Sequence, residues 1–183
     1  MIIEAIREHI RDPLRVTESA YGTTRQIRPS KPATVEMVAL AEVALGLSLP
    51  PLLTRLYLEI GNGGFGPGYG LVGTPGGATD DTGRDLVSLY RMYSTPDPDD
   101  SLWHWPAPLL PLAHLGCAMY ACADTQTTGN PIVWFEPNPH EDGKAWDDSF
   151  IPLVDSMHAW LTAWLEGEDL FEPAWERKFG KSA

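Results

Sequence analysis

Apolar positions recur at helical spacing in the first half of the chain. Ile3, Ile6 and Ile10 predict a helix over 2–10. A polar stretch with Pro13, Gly22, Pro29 and Pro32 follows and reads as an extended connector over 13–32. Thr34 is placed to cap a second helix over 34–45 that buries Val35, Val38, Ala41 and Leu45, with Gly46 just past its end. After Leu49 and Pro50, Pro51 opens a helix over 51–60. Its stripe of Leu53, Leu56, Tyr57 and Ile60 falls at i, i+3, i+4 and i+7, and Gly61 stops it. A glycine-rich run over 61–70 leads to a short strand at 69–73. A loop from Gly73 to Gly83 comes next, then a helix over 84–93 with Leu86, Leu89, Tyr90 and Tyr93 on one side.

The period then shortens toward two. Strands are expected at 109–115, 117–124 and 132–136, the last two forming an antiparallel hairpin around a Thr/Gly/Asn turn. Between the helical and strand halves lies a Pro/Asp loop, 94–108, carrying Trp103-His104-Trp105. A last amphipathic helix over 155–166 places Met157, Trp160, Leu161 and Trp164 on one face and ends at Gly167. Helices first, adjacent strands next, then a helix: this order predicts an α+β fold, helices packed on a mainly antiparallel sheet in a single domain, not a doubly wound α/β fold. The expected organisation is an N-terminal helix and connector over 1–33, the domain proper over 34–167, and a charged tail over 168–183 with Trp175 and Phe179.

Composition supports a packed core: 43 % of residues are hydrophobic and seven are Trp. Charge adds more. The formal net charge is -12 and is unevenly spread. Residues 80–100 hold six acids against two bases, 136–148 five against one, and 155–172 five against none. A surface of this sign repels phosphate backbones, which argues against direct nucleic-acid binding, and it attracts a basic partner. Two cysteines, Cys117 and Cys122, are too few for a disulfide framework. With no secretory signal and no apolar run long enough to cross a bilayer, the expectation is a cytoplasmic protein with free thiols.

The chemistry-bearing motifs are weak. Gly61-x-Gly63-x-x-Gly66 matches the dinucleotide fingerprint in form only. That motif needs a strand before it and a helix N-terminus after it, whereas here a helix precedes and Pro67-Gly68 follows. The structural reading has Gly61 and Asn62 taking positive φ at the helix exit. No two of the five histidines stand at metal-ligand spacing, and Cys117 and Cys122 would face opposite sides of one strand, so neither a metal nor a cofactor is expected. There is no Gly-x-Ser-x-Gly elbow. Asp80-Asp81 and Asp97-Pro98-Asp99-Asp100 sit in Gly/Pro loops, where solvated acids are commonplace. Trp103 and Trp105 either fold back onto the core or form an aromatic anchor for a partner ringed by Asp97, Asp99 and Asp100.

One ordered set of residues goes further. Leu45-Gly46-Leu47-Ser48-Leu49-Pro50, then Leu53, Leu56 and Tyr57, then Gly61-Asn62-Gly63-Gly64, resembles the SMI1/KNR4 family of the SUKH superfamily. The likeness continues through Leu110-Pro111, Gly116-Cys117, Asp124, Val133 to Phe135 and the helix end at Trp160 to Gly167. It departs at Ser156-Met157-His158, where a Ser-Phe step is expected and Ser149-Phe150 stands as a displaced equivalent. The resemblance implies a non-catalytic α+β scaffold without a cofactor. Many bacterial members of the family resemble immunity proteins that bind and neutralise secreted polymorphic toxins, often nucleases or deaminases; fungal relatives resemble regulatory adaptors.

The expectation is therefore a protein-binding domain meeting a basic toxin. Its candidate partner-binding residues are Asp80, Asp81, Asp97, Asp99, Asp100, Trp103 and Trp105. Leu49, Pro50, Tyr57, Gly61, Asn62, Gly63 and Gly64 are expected to be structural. Two alternatives stand beside it: a small-ligand binder or enzyme using the glycine-rich and Asp-rich loops, and an adaptor for a self-protein.

Overall fold

The computed structural model describes residues 1–12, 16–18, 24–26 and 28–181, the two short strands by their backbone alone. Pro13, Gly22, Ser182 and Ala183 lie outside the described residues. Helix α1, Ile2–His9, buries Ile3 and Ile6 and packs on the last amphipathic helix, with the His9 and Trp164 rings 4.6 Å apart. The expected connector holds an antiparallel ribbon of β1 (Val16–Glu18) and β2 (Thr24–Gln26).

Helix α2, Val35–Leu45, starts where expected: the Thr34 side chain accepts from Met37 N at 3.2 Å, and Gly46 ends the helix at φ 67°. Val38, Ala41 and Leu45 are buried, but Val35 is 70 % exposed, against expectation. At ~100° per residue, Val35 sits about 90° from the centre of that buried arc, in the first turn beyond the core. Helix α3 is Pro51–Glu59, with Leu53, Leu56 and Tyr57 buried, and α4 is Leu86–Ser94. The Asp85 carboxylate caps α4 through Ser88 N at 2.8 Å.

Four strands form one antiparallel sheet in sequence order: β3 (Leu109–Gly116), β4 (Met119–Asp124), β5 (Ile132–Phe135) and β6 (Phe150–Val154). The expected β4–β5 hairpin is present, in register Cys122↔Val133. Cys117 is not in a strand: with Ala118 it forms the β3–β4 turn, both at positive φ, and it is exposed while Cys122 is buried. The expected strand at 69–73 reduces to one bridge, Leu71↔Ala113, on the outer side of β3. Strand β6 has no counterpart in the sequence expectations. Its Pro152, like Pro111 in β3, is tolerated because both strands are sheet edges, where a missing N–H breaks no ladder bond.

A 3-10 turn, Trp146–Ser149, leads into β6, and α5 is Met157–Glu166. The tail is not an appendage: it forms α6, Phe171–Phe179, which packs on β6 and buries Ala174. The sheet is covered on both faces. Phe135 packs on Tyr93, Trp105 and Phe150, while its neighbour Trp134, pointing the other way, meets Phe171 and Trp175 of α6. Among the described residues no helix is long and apolar enough to cross a membrane.

Candidate functional site

The glycine-rich run is a brace between chain segments. Asn62 is fully buried and its amide exchanges hydrogen bonds with Thr74: Nδ2 donates to Thr74 Oγ1 at 3.0 Å, and Oδ1 accepts from Thr74 N at 2.8 Å. Tyr57, also fully buried, donates its hydroxyl to Val72 O, and burial pushes its pKa up. Leu49 N donates to Glu42 Oε1 at 2.8 Å, and Leu49 and Pro50 are both buried. The expectation of positive φ at Gly61 and Asn62 is corrected: the left-handed residues are Gly63 and Gly64, at φ 81° and 84°. Gly61 is required by proximity instead, since a Cβ there would stand 2.6 Å from Ser30 O. At Gly64 a Cβ would stand 2.2 Å from Arg28 O. At these two positions the glycines admit neighbouring backbone.

Of the acids expected to meet a partner, Asp80 is turned inward. It is 6 % exposed, and its Oδ1 accepts from Thr82 N (2.9 Å), Thr82 Oγ1 (2.7 Å) and Arg84 N (2.8 Å). Its Oδ2 accepts from the Tyr120 hydroxyl at 2.9 Å. Burial pushes the Asp80 pKa up, but these hydrogen bonds to the charged form outweigh it and hold the carboxyl below its ordinary value. Asp81 is exposed, with Oδ1 3.3 Å from Nδ1 of the buried His114. Trp105 resolves toward the core: it is 8 % exposed, donates to Leu109 O at 2.7 Å and stacks on Tyr93 at 4.6 Å. Neither Asp80 nor Trp105 presents itself to a partner, which corrects both expectations.

The remaining candidates join a segment they were not grouped with. Asp97 and Asp99 are exposed, and Asp97 Oδ1 accepts from Asp99 N at 2.9 Å. Asp100, half-buried, accepts from Leu102 N at 2.9 Å and, across the fold, from Trp146 Nε1 at 2.7 Å. The Trp146 bond is the leading cause of its lowered pKa, followed by the bond from Leu102 N. The His140 ring stacks on Trp146 at 3.8 Å and 6°, its Nε2 3.9 Å from Asp100 Oδ2. Trp103, half-buried, donates to Tyr93 O at 3.0 Å and meets Trp146 edge-on at 4.8 Å. His104 Nε2 lies 3.9 Å from Asp147 Oδ1.

Loops 97–105 and 138–148 are therefore stitched into one surface. Its floor is Trp103, His140 and Trp146; its rim carries the exposed Asp97, Asp99, Glu141, Asp142, Asp147 and Asp148. The two lysines that approach it leave the sign unchanged: Lys144 pairs with Glu141 at 2.7 Å, and Lys178 donates to Asp147 O and Phe150 O and lies 3.7 Å from Asp148. Sequence reading registered the acids of 136–148 as charge but missed Trp146 and His140 as the groups that join them to Asp100. The signal was a lone Trp inside an acidic loop, the same pattern that drew attention to Trp103. His104 is engaged with Asp147 and Phe150, whereas Asp80 is engaged with Tyr120. Among the described residues no group of three or more His, Cys, Asp or Glu is placed to hold a metal ion.

Residues 32–163 match the family described as SMI1 / KNR4 family (SUKH-1). The match runs from before α2 into α5 and leaves out α1, the β1–β2 ribbon and α6. No curated protein matches the chain.

Proposed function

The chain belongs to the SMI1/KNR4 (SUKH-1) family, and from that premise we propose that it is a non-enzymatic immunity-type protein that binds and neutralises a toxin domain through its acidic face. The observation that carries this reading is the joining of two acidic loops over an aromatic floor by Trp146, His140 and Trp103. A toxin that acts on nucleic acid needs a basic cleft for its substrate. A preassembled acidic face with half-buried Trp edges competes for that cleft: the rim charges speed the encounter and the aromatic floor supplies desolvated contact. The same charge disfavours direct nucleic-acid binding.

The test is co-expression and co-purification with toxin domains encoded beside this chain. Binding and protection are expected for one of them, with affinity falling as salt rises. The variant D97N/D99N/D147N/D148N should slow association about tenfold or more while leaving unfolding within about 1 kcal/mol, since rim charges act mainly on the on-rate. A chain that binds and protects against none of the candidates sinks the immunity reading. Undiminished binding by the fourfold variant sinks the assignment to this face.

A further inference from the structure

Helix α6, outside the residues matched to the family, builds a cleft of about 370 Å³ against the sheet. Its lining is Trp134 of β5 with Phe171, Glu172, Trp175 and Glu176 of α6. The rings make three aromatic walls: Trp134 and Phe171 meet edge-on at 5.2 Å and 80°, and Trp134 and Trp175 lie 6.0 Å apart at 49°. The two carboxylates stand at i and i+4 on the same face as Phe171 and Trp175, where like charges oppose helix formation. Among the described residues neither carboxylate is in an ion pair. The floor residue Trp134 carries a buried Nε1–H with no hydrogen-bond partner. Two unneutralised acids on aromatic walls mark a cleft that suits a cation.

We infer that this cleft receives an arginine side chain of the protein partner. Aromatic faces attract a cation, and two carboxylates at the rim fix its sign. A guanidinium suits the site better than an ammonium. It is planar and weakly hydrated, so it stacks on indole at low desolvation cost, and its forked N–H groups reach two carboxylates at once. Lys178, three residues beyond Trp175, donates to Asp147 O and so ties α6 to the end of the acidic loop, while the cleft itself lies on the other side of the sheet from Trp103 and Trp146.

The inference rests on the protein-binding reading only for the source of the arginine; the cleft itself is tested without a partner. N-acetyl-arginine amide is titrated into the full chain while the indole N–H signals are followed by 1H–15N NMR. Saturable shifts of the Trp134 and Trp175 signals are expected. The variant E172Q/E176Q keeps good helix formers at both positions and should weaken binding about tenfold. N-acetyl-lysine amide and tetramethylammonium are run alongside. No saturable shift, or equal binding by the E172Q/E176Q variant, overturns the site; binding of either control as tight as that of the arginine derivative overturns the guanidinium assignment. Arginine binding without any toxin partner leaves the cleft standing and the immunity reading fallen, so the two failures are told apart.

Discussion

Replacing Asp80 with alanine separates a structural acid from a recruiting one. The substitution removes an acceptor for four hydrogen bonds. Three of the donors belong to exposed Thr82 and half-buried Arg84, where water takes over much of the role. The fourth, the Tyr120 hydroxyl, belongs to a residue only 3 % exposed and is left unsatisfied. Orphaning it costs about 1–3 kcal/mol, and loosening the 80–84 loop about 1 more, so D80A should lose about 2–4 kcal/mol. At a few degrees per kcal/mol for a chain of this size, that is a fall in Tm of about 5–12 °C. D80N should lose only about 1 kcal/mol, because its Oδ1 still accepts from Thr82 and Arg84 and the Tyr120 hydroxyl turns to accept. In wild type the carboxylate contributes stability above pH 3.8, its ordinary value, and loses it as pH falls toward the depressed folded value; D80N lacks that segment of the curve. Urea unfolding across pH, with Y120F and the double variant completing a cycle, measures all of this. D80A within about 0.5 kcal/mol of wild type, or no coupling to Tyr120, would show that Asp80 is a solvated loop acid after all.

Gly64→Ala combines a left-handed backbone with a Cβ 2.2 Å from Arg28 O, whereas Gly46→Ala meets open space at φ 67°. Urea unfolding should show about 1–2 kcal/mol lost at Gly46 and clearly more at Gly64. Native-state titration with a thiol reagent should modify the exposed Cys117 promptly and reach Cys122 only on unfolding, since Cys122 is buried and its burial pushes the thiol pKa up. Two thiols reacting at one rate in the folded protein would contradict the turn placement of Cys117.

The helices were legible where capping and periodicity agree. Thr34, Gly46 and Pro51 mark the ends of α2 and the start of α3 because each satisfies or omits a backbone group that a helix terminus leaves open. Strand β6 was hidden by Pro152: a proline demotes a run locally, and only the sheet order, with β6 at the edge, makes it permissible. Helix α6 was hidden because its partner, Trp134, is 37 residues or more away, and its own composition reads as a charged tail. The candidate site was half legible. Charge and aromatic content point to loops 97–105 and 138–148 separately, but the bond from Trp146 to Asp100 spans 46 residues, a pairing no local pattern encodes. Asp80 and Trp105 were misjudged for a related reason. A loop acid and a loop Trp look solvent-facing until the partners that hold them, Tyr120 and Tyr93, come from other elements.

The way the acidic face is assembled bears on its purpose. Bringing two loops of the same sign together is unfavourable: each pair of charges about 10 Å apart in water repels by ~0.4 kcal/mol before screening. With six exposed acids on the rim, such pairs sum to a few kcal/mol at low salt, and less once screening acts over a Debye length of about 10 Å. The loops are held instead by the Trp103–Trp146 edge contact and the His140–Trp146 stack, each worth about 0.5–1.5 kcal/mol, and by the Trp146 indole bond to the Asp100 carboxylate. Lys144 and Lys178, the lysines paired with rim acids among the described residues, leave most of the charge uncompensated. The core would be served as well by loops that kept their acids apart. Aromatic contacts that hold like charges together in the free protein leave a repulsion that a basic partner would relieve on docking, which is what the proposed function asks of this surface.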